Sequence, residues 1–214
     1  MNEQKEPNSC NNKDAAWVVI DTPLSTAELK LFCKDIERLF RINPMLNFKK
    51  WQSLGSNRYY FSGQNISQDP PFDFELTLAI RRLSDGIEVE YAHGLKTRTT
   101  IIIQPLQGQQ ATQRKNQSIL TITDYYDRLP ENERTQQLHL VDKSLTVWAN
   151  DLHQFLIYWK KWSRYGPWRW FMRHVWQPMK PMGRRITYIL FWVTFFELAL
   201  ILLGAAVYYL EYTE

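Results

Sequence analysis

The chain has 214 residues, a net charge of +4 and only two cysteines, Cys10 and Cys33. Two cysteines exclude a disulfide framework and leave no metal-ligand spacing, which suits a reducing compartment. The positive charge is confined to one place, which excludes a broad nucleic-acid-binding face: residues 1–157 hold 18 Lys+Arg against 19 Asp+Glu, 158–185 hold eight cations and no acid, and the rest holds three acids.

Residues 1–14, MNEQKEPNSCNNKD, have no apolar run and read as a short disordered tail, not a secretory signal. Ala15 to Ile20 reads as a strand. Ser25 followed by Glu28 is a capping box, and Leu29, Phe32, Cys33, Ile36, Leu39 and Phe40 form the apolar stripe of one helix that stops at Pro44. The period then changes to two. Phe48 to Phe61 reads as a hairpin turning at Gly55-Ser56-Asn57, and Phe72, Phe74, Leu76, Leu78 and Ile80 alternate with polar residues. After a turn at Ser84-Asp85-Gly86, the residues Ile87, Val89, Tyr91 and His93 share one face, with Glu88 and Glu90 on the opposite, wet face. Two more strands, near 98–106 and 118–126, flank a polar loop. A loop at Pro130-Glu131-Asn132-Glu133 leads to a long helix near 141–164, striped by Leu145, Trp148, Ala149, Leu152, Leu156 and Trp159.

Gly166-Pro167 breaks that helix. Trp168, Phe171, Met172, Val175 and Trp176 then fall on one face of a short helix that Pro178 and Pro181 end, with Arg169, Arg173 and His174 off that face. Such a helix suits the headgroup region of a membrane, with Trp168, Arg169, Phe171, Arg173, Trp176, Arg184 and Arg185 as interface residues. Packing of the same face on the domain's own core is the competing reading. Ile186 to Leu210 follows as a run with a single charge. At ~1.5 Å per residue its length is about 37 Å, enough for a hydrocarbon core of ~30 Å. The cations before it and the acidic tail 211–214 after it place the N-terminal domain in the cytoplasm, as in a bacterial inner membrane. Glu197 stands near the middle of the span, where it either faces a partner helix or a second copy of this one, or is a protonated side chain carried by a strongly apolar segment.

Over residues 15–165 the order is strand, helix, about six strands and a long helix, with Asp35-Ile36-Glu37-Arg38 and Ile42-Asn43-Pro44 after the first strand. This resembles the START / Bet v 1-like helix-grip superfamily, which includes polyketide cyclase-like and lipid-transfer-like domains. The expected class is α+β: a curved antiparallel sheet gripping a long C-terminal helix, then an interfacial helix (166–185) and one transmembrane helix (186–210). The resemblance implies a cavity between sheet and helix that takes an apolar ligand, often without catalysis. Trp51, Tyr59, Tyr91, His93, Trp148 and Leu152 are the candidate lining, with plain core packing as the alternative for each aromatic.

No Walker loop, dinucleotide glycine pattern, metal cluster or GxSxG elbow occurs. His93 beside Tyr91 is the one candidate for acid–base chemistry. The expectation is a non-enzymatic domain that binds an apolar small molecule or membrane lipid, needs no cofactor or metal, and binds no nucleic acid. Two alternatives stand beside it. One is a cyclase- or aromatase-type enzyme using His93. The other is an assembly module whose Glu197 helix meets a membrane-protein partner or a second copy.

Overall fold

The computed structural model describes residues 15–106, 117–126, 128 and 131–213, with side chains in the long helix from residue 144 onward. The expected N-terminal tail, most of the polar loop at 107–116 and Glu214 lie outside the described residues. The described chain divides into two compact units, one ending at Arg169 and one beginning at Trp170.

The first unit is built on one antiparallel sheet of seven strands: β1 (Ala15–Thr22), β2 (Leu46–Gly55), β3 (Arg58–Asn65), β4 (Phe72–Arg82), β5 (Gly86–Tyr91), β6 (Arg98–Pro105) and β7 (Ser118–Tyr125). Its order is β1-β7-β6-β5-β4-β3-β2, so β2 to β7 form a meander and β1 closes onto the last strand. Alternation decides the buried face. Ile20 pairs with Leu120 and Leu120 with Ile103, Ile122 pairs with Ile101 and Ile101 with Ile87, and Tyr91 pairs with Leu78; all of them are buried. Two irregularities in β2, between Phe48 and Lys50 and between Ser53 and Gly55, accompany the bend of the sheet. Gly86 opens β5 where the backbones almost touch: a Cβ there would lie 1.9 Å from the Ile101 carbonyl oxygen.

Between β1 and β2 the expected single helix is two: α1 (Thr26–Cys33) and α2 (Ile36–Arg41). The capping box at Ser25 forms as read, with Ser25 N donating to Glu28 Oε2 at 2.8 Å. The break has a local cause. Asp35 accepts from Arg38 N at 3.1 Å and so caps a second helix. Arg38 in turn donates to the Phe32 carbonyl at 2.8 Å, serving the end of the first. The apolar stripe survives the break, and Leu29, Phe32, Cys33, Ile36, Leu39 and Phe40 are all buried.

The long helix α3 covers Glu131–Trp162 and starts ten residues before the expected start near 141. Glu131-Asn132-Glu133 belongs to its first turn and not to a loop; acids favour a helix N-terminus, where the macrodipole is positive. Leu145, Trp148, Ala149, Leu152 and Leu156 are buried as the stripe requires. The helix runs beside β1 and is tied to its neighbours by polar contacts. Trp148 Nε1 donates to the Leu39 carbonyl at 3.3 Å, and His153 Nδ1 lies 2.9 Å from the Asp21 carbonyl. Lys160 Nζ sits 2.8 Å from both carboxylate oxygens of Glu28.

A short α4 (Gly166–Phe171) contains the boundary between the units. In the second unit a stretch of π-helix, Met172–Trp176, is followed by α5, Pro181–Thr213. Pro181 therefore opens the last helix, where a missing N–H costs nothing, and does not merely end the segment before it. The helix is long and apolar enough to cross a membrane from Pro181 to Tyr212.

Candidate functional site

The inward face of the sheet has two unlike ends. Across β5, β6 and β7 its apolar side chains are fully buried: Val89, Ile101, Leu120 and Ile122 are sealed from water. Across β2, β3 and β4 the same face carries Phe48, Trp51, Tyr59 and Phe74, each only half-buried. These rings form one connected cluster on a closed floor of Phe40, Phe61 and Trp148. Trp51 lies 5.4 Å from Tyr59, 5.5 Å from Phe61 and 6.1 Å from Phe40, and Phe40 lies 5.9 Å from Trp148. Gly63 keeps the cluster open on β3. A Cβ there would come within 2.5 Å of the Asn47 carbonyl oxygen and 3.2 Å of the Phe74 ring.

So three of the lining residues read from the sequence, Trp51, Tyr59 and Trp148, come together through Phe40. Leu152 is fully buried in α3. Tyr91 belongs to a different group. Asp124 is 0 % exposed and accepts hydrogen bonds from Thr99 Oγ1 at 2.5 Å, from Tyr126 Oη at 3.3 Å and from Lys96. Tyr91 Oη lies 3.0 Å from Thr99 Oγ1, and since Thr99 donates to Asp124 the phenol is the donor. Burial first, and the Asp124 charge second, push the Tyr91 phenol above its ordinary range, so it stays a neutral donor. This buried carboxylate escaped the sequence reading, although Ser118, Leu120, Ile122 and Asp124 alternate on one face of β7 and so point an acid into the core.

His93 does not reach the interior. The face of Ile87, Val89 and Tyr91 turns inward as expected, but β5 ends at Tyr91 and the chain turns at Gly94, φ +99°. His93 is exposed in that turn. Glu88 also differs from expectation. It lies on the outer face with Glu90, yet is only 5 % exposed, because Arg81 donates to it at 2.5 Å and Arg98 reaches to 3.9 Å. Cys33 is buried, which pushes its thiol up to about 12 and leaves it unreactive. Among the described residues, no group of three or more His, Cys, Asp or Glu side chains could hold a metal ion.

The segment read as interfacial is divided between the units. In the first, the Trp168 ring lies 5.5 Å from Trp159 of α3, and Arg169 is exposed. In the second, Phe171, Arg173 and Arg185 are exposed, as is Trp170, which the periodicity did not single out. Arg184 has a structural task. Its Nε donates to the Trp176 carbonyl and its Nη2 to the Gln177 carbonyl, both at 3.1 Å, while the guanidinium lies 3.9 Å from the centre of the Trp176 ring. It thus caps the end of the π-helix. Glu197 sits midway along α5.

No protein-family model matches the chain, and no curated protein matches it. Solved structures do. A START superfamily protein from Mycobacterium smegmatis superposes with a TM-score of 0.51 at 13% identity, over 67% of this chain and 97% of that one. The domain has the START-like helix-grip fold. A conserved protein from Geobacillus kaustophilus is similar at a TM-score of 0.48 and 11% identity, over 68% of this chain and 96% of that one. A di-domain ARO/CYC, BexL, from the BE-7585A biosynthetic pathway reaches 0.46 at 13% identity, over 64% of this chain and 46% of that one. In this helix-grip domain the half-buried ring cluster lies on the concave side of the sheet, the side the long helix faces. At such identities the likeness carries the architecture alone.

Proposed function

We propose that the helix-grip domain binds an apolar ligand on the ring cluster of its concave face, and that α5 holds the domain at the cytoplasmic side of a membrane. The observation that carries the first part is the incomplete burial of Phe48, Trp51, Tyr59 and Phe74 on a face that is sealed elsewhere. Half-buried rings on an inward face offer an apolar surface to a guest without unfolding anything. START-like folds bind hydrophobic ligands generally, which agrees. Membrane lipid and apolar small molecules are the ligand classes that fit these rings.

The second part is supported by the cation-rich approach to α5 and by the exposed Trp170 and Phe171 beside it. In this reading Arg173, Lys180 and Arg185 meet the headgroups, with Arg169 and Trp168 at the domain's end of the segment. No catalytic step is proposed: His93, the candidate acid–base residue, is exposed in the turn after β5.

The test is extraction of the purified full chain with organic solvent, followed by mass spectrometry. An apolar molecule should co-purify with the wild type, and Trp51→Ala should lose it while the domain stays folded. Wild-type protein that yields no ligand and quenches no added fatty-acid probe would sink the binding half of the proposal. Protease protection of the N-terminal domain in inverted vesicles would sink the orientation.

A further inference from the structure

The α5 helix carries a seam. Leu190, Thr194, Glu197, Ile201, Gly204 and Tyr208 follow one another at spacings of four, three, four, three and four. That alternation keeps one line of side chains facing a partner helix in a left-handed supercoil. The hydroxyl and the carboxyl in the middle of the helix, Thr194 and Glu197, both lie on it. Apart from Tyr208 near its end, the seam carries no ring, and the rings around Trp192 lie off it and pack on their own helix: Trp192 is 6.2 Å from Tyr188, 5.8 Å from Phe195 and 5.9 Å from Phe196. One side is therefore a bulky aromatic surface suited to acyl chains, and the other holds the Thr194 hydroxyl, the Glu197 carboxyl and Gly204 among aliphatic side chains.

Gly204 points the same way independently. A glycine weakens a helix interior relative to alanine. Yet a Cβ at Gly204 would meet nothing within 4 Å among the described residues. Among the described residues nothing fills that space, and a second helix backbone could approach closely over it.

We infer that this seam pairs with the same seam of a second copy of the chain, in parallel. The inference rests on the reading that α5 spans a membrane. Every copy carries the same cationic flank and so inserts the same way round, which sets Thr194 and Glu197 of two copies at equal depth. The span holds no cation, so another copy does not answer Glu197 with opposite charge; it answers with a hydroxyl. Thr194 and Glu197 occupy adjacent layers of the seam, and under two-fold symmetry each threonine hydroxyl donates to the other copy's carboxyl. Donor and acceptor are both present in one chain, so the pair is self-complementary.

The experiment uses the full chain with Cys10→Ser, purified and placed in phosphatidylcholine vesicles; Cys33 is buried and does not report. Ile201→Cys, on the seam, should form a disulfide-linked dimer on mild oxidation, and Leu203→Cys, on the aromatic side, should not. Adding Glu197→Leu to Ile201→Cys should lower the dimer fraction about fivefold, the scale of a hydrogen bond between helices in a bilayer. Equal linkage at both cysteines overturns the pairing. So does a dimer untouched by Glu197→Leu, or a chain that stays monomeric while resisting alkaline carbonate; the last result would assign Glu197 to a different membrane protein. Release of the chain by carbonate overturns the anchoring itself, and is read separately.

Discussion

Two helices of almost equal length occupy opposite situations in this chain. α3 has 32 residues and α5 has 33. On α3 the largest apolar side chains from Leu145 to Leu156 keep to one buried stripe, while Ile157, Tyr158 and Trp162 near its end are exposed. On α5 they surround the axis, and Phe191, Phe196, Leu200, Ile201 and Leu203 are all exposed. Length does not separate a grip helix from a spanning one; the width of the apolar arc does. A stripe is satisfied by one sheet face, whereas an apolar circumference is what the proposed membrane span requires.

The largest expected effect tests the stripe. Leu152→Ala on α3 removes a fully buried side chain and should destabilise the domain by about 3–5 kcal/mol. Urea unfolding of the full chain, followed by tryptophan fluorescence, measures it. Leu203→Ala on α5 deletes the same atoms, yet should leave that unfolding transition unmoved. If both substitutions shift it alike, the two helices do not differ in the way described.

The second test concerns the circumference. Leu203→Lys places a cation near the middle of α5 and should disfavour insertion by about 3 kcal/mol. The fraction of chain pelleting with membranes should fall accordingly. Gln154→Lys on the exposed side of α3 should change neither pelleting nor stability by more than about 0.5 kcal/mol. A membrane-bound Leu203→Lys chain would mean that α5 tolerates charge as a surface helix does.

The contrast between the helices was legible before any coordinates, because it depends only on periodicity. So were the order of the strands and the hairpin turn at Gly55-Ser56-Asn57, where φ values of 82°, 49° and 58° require left-handed backbone. Three features were less so, each because a side chain overrides a pattern. The α1–α2 break depends on Asp35 and Arg38 finding partners within the same turn, and an unbroken apolar stripe hides it. His93 continues the alternation of β5 on paper, but alternation has no meaning once Gly94 turns the chain. Asp124 sits on a visible inward face, yet only the arrival of Lys96, Thr99 and Tyr126 makes a buried acid tenable. The candidate site shows the same division. Trp51, Tyr59 and Trp148 were readable as inward aromatics, while their meeting through Phe40 required the third dimension.

A smaller effect tests how the second unit begins. Arg184→Gln removes the guanidinium that caps the Trp176 and Gln177 carbonyls. Two hydrogen bonds from a charged donor are lost, for about 1–3 kcal/mol of local stability. Amide exchange across residues 172–180 should rise, while exchange in α3 and along the middle of α5 stays as it was. Arg184→Lys keeps the charge but not the fork or the ring contact, so it should behave like the glutamine variant. Rescue by lysine would return Arg184 to the role of a simple headgroup cation.

The smallest effect lies where α3 meets the first helix. Glu28 holds Lys160 and the Ser25 cap at once, and its carboxyl sits below the usual value of 4.5, chiefly through the Lys160 hydrogen bond and next through the Ser25 amide. A carboxylate with a lowered folded pKa adds stability that is complete above the unfolded value. That stability is lost as pH falls through the lower, folded value. Both partners are more than a third exposed, so solvent screening holds the contribution to about 0.5 kcal/mol. Glu28→Gln should therefore unfold slightly more easily than wild type at neutral pH, and the difference should close as pH drops below about 4. The Glu28→Gln comparison, run as matched urea titrations at neutral and acid pH, isolates this pair from every other acid. A gap that widened in acid would mean that Glu28 is held by something other than Lys160 and its own cap.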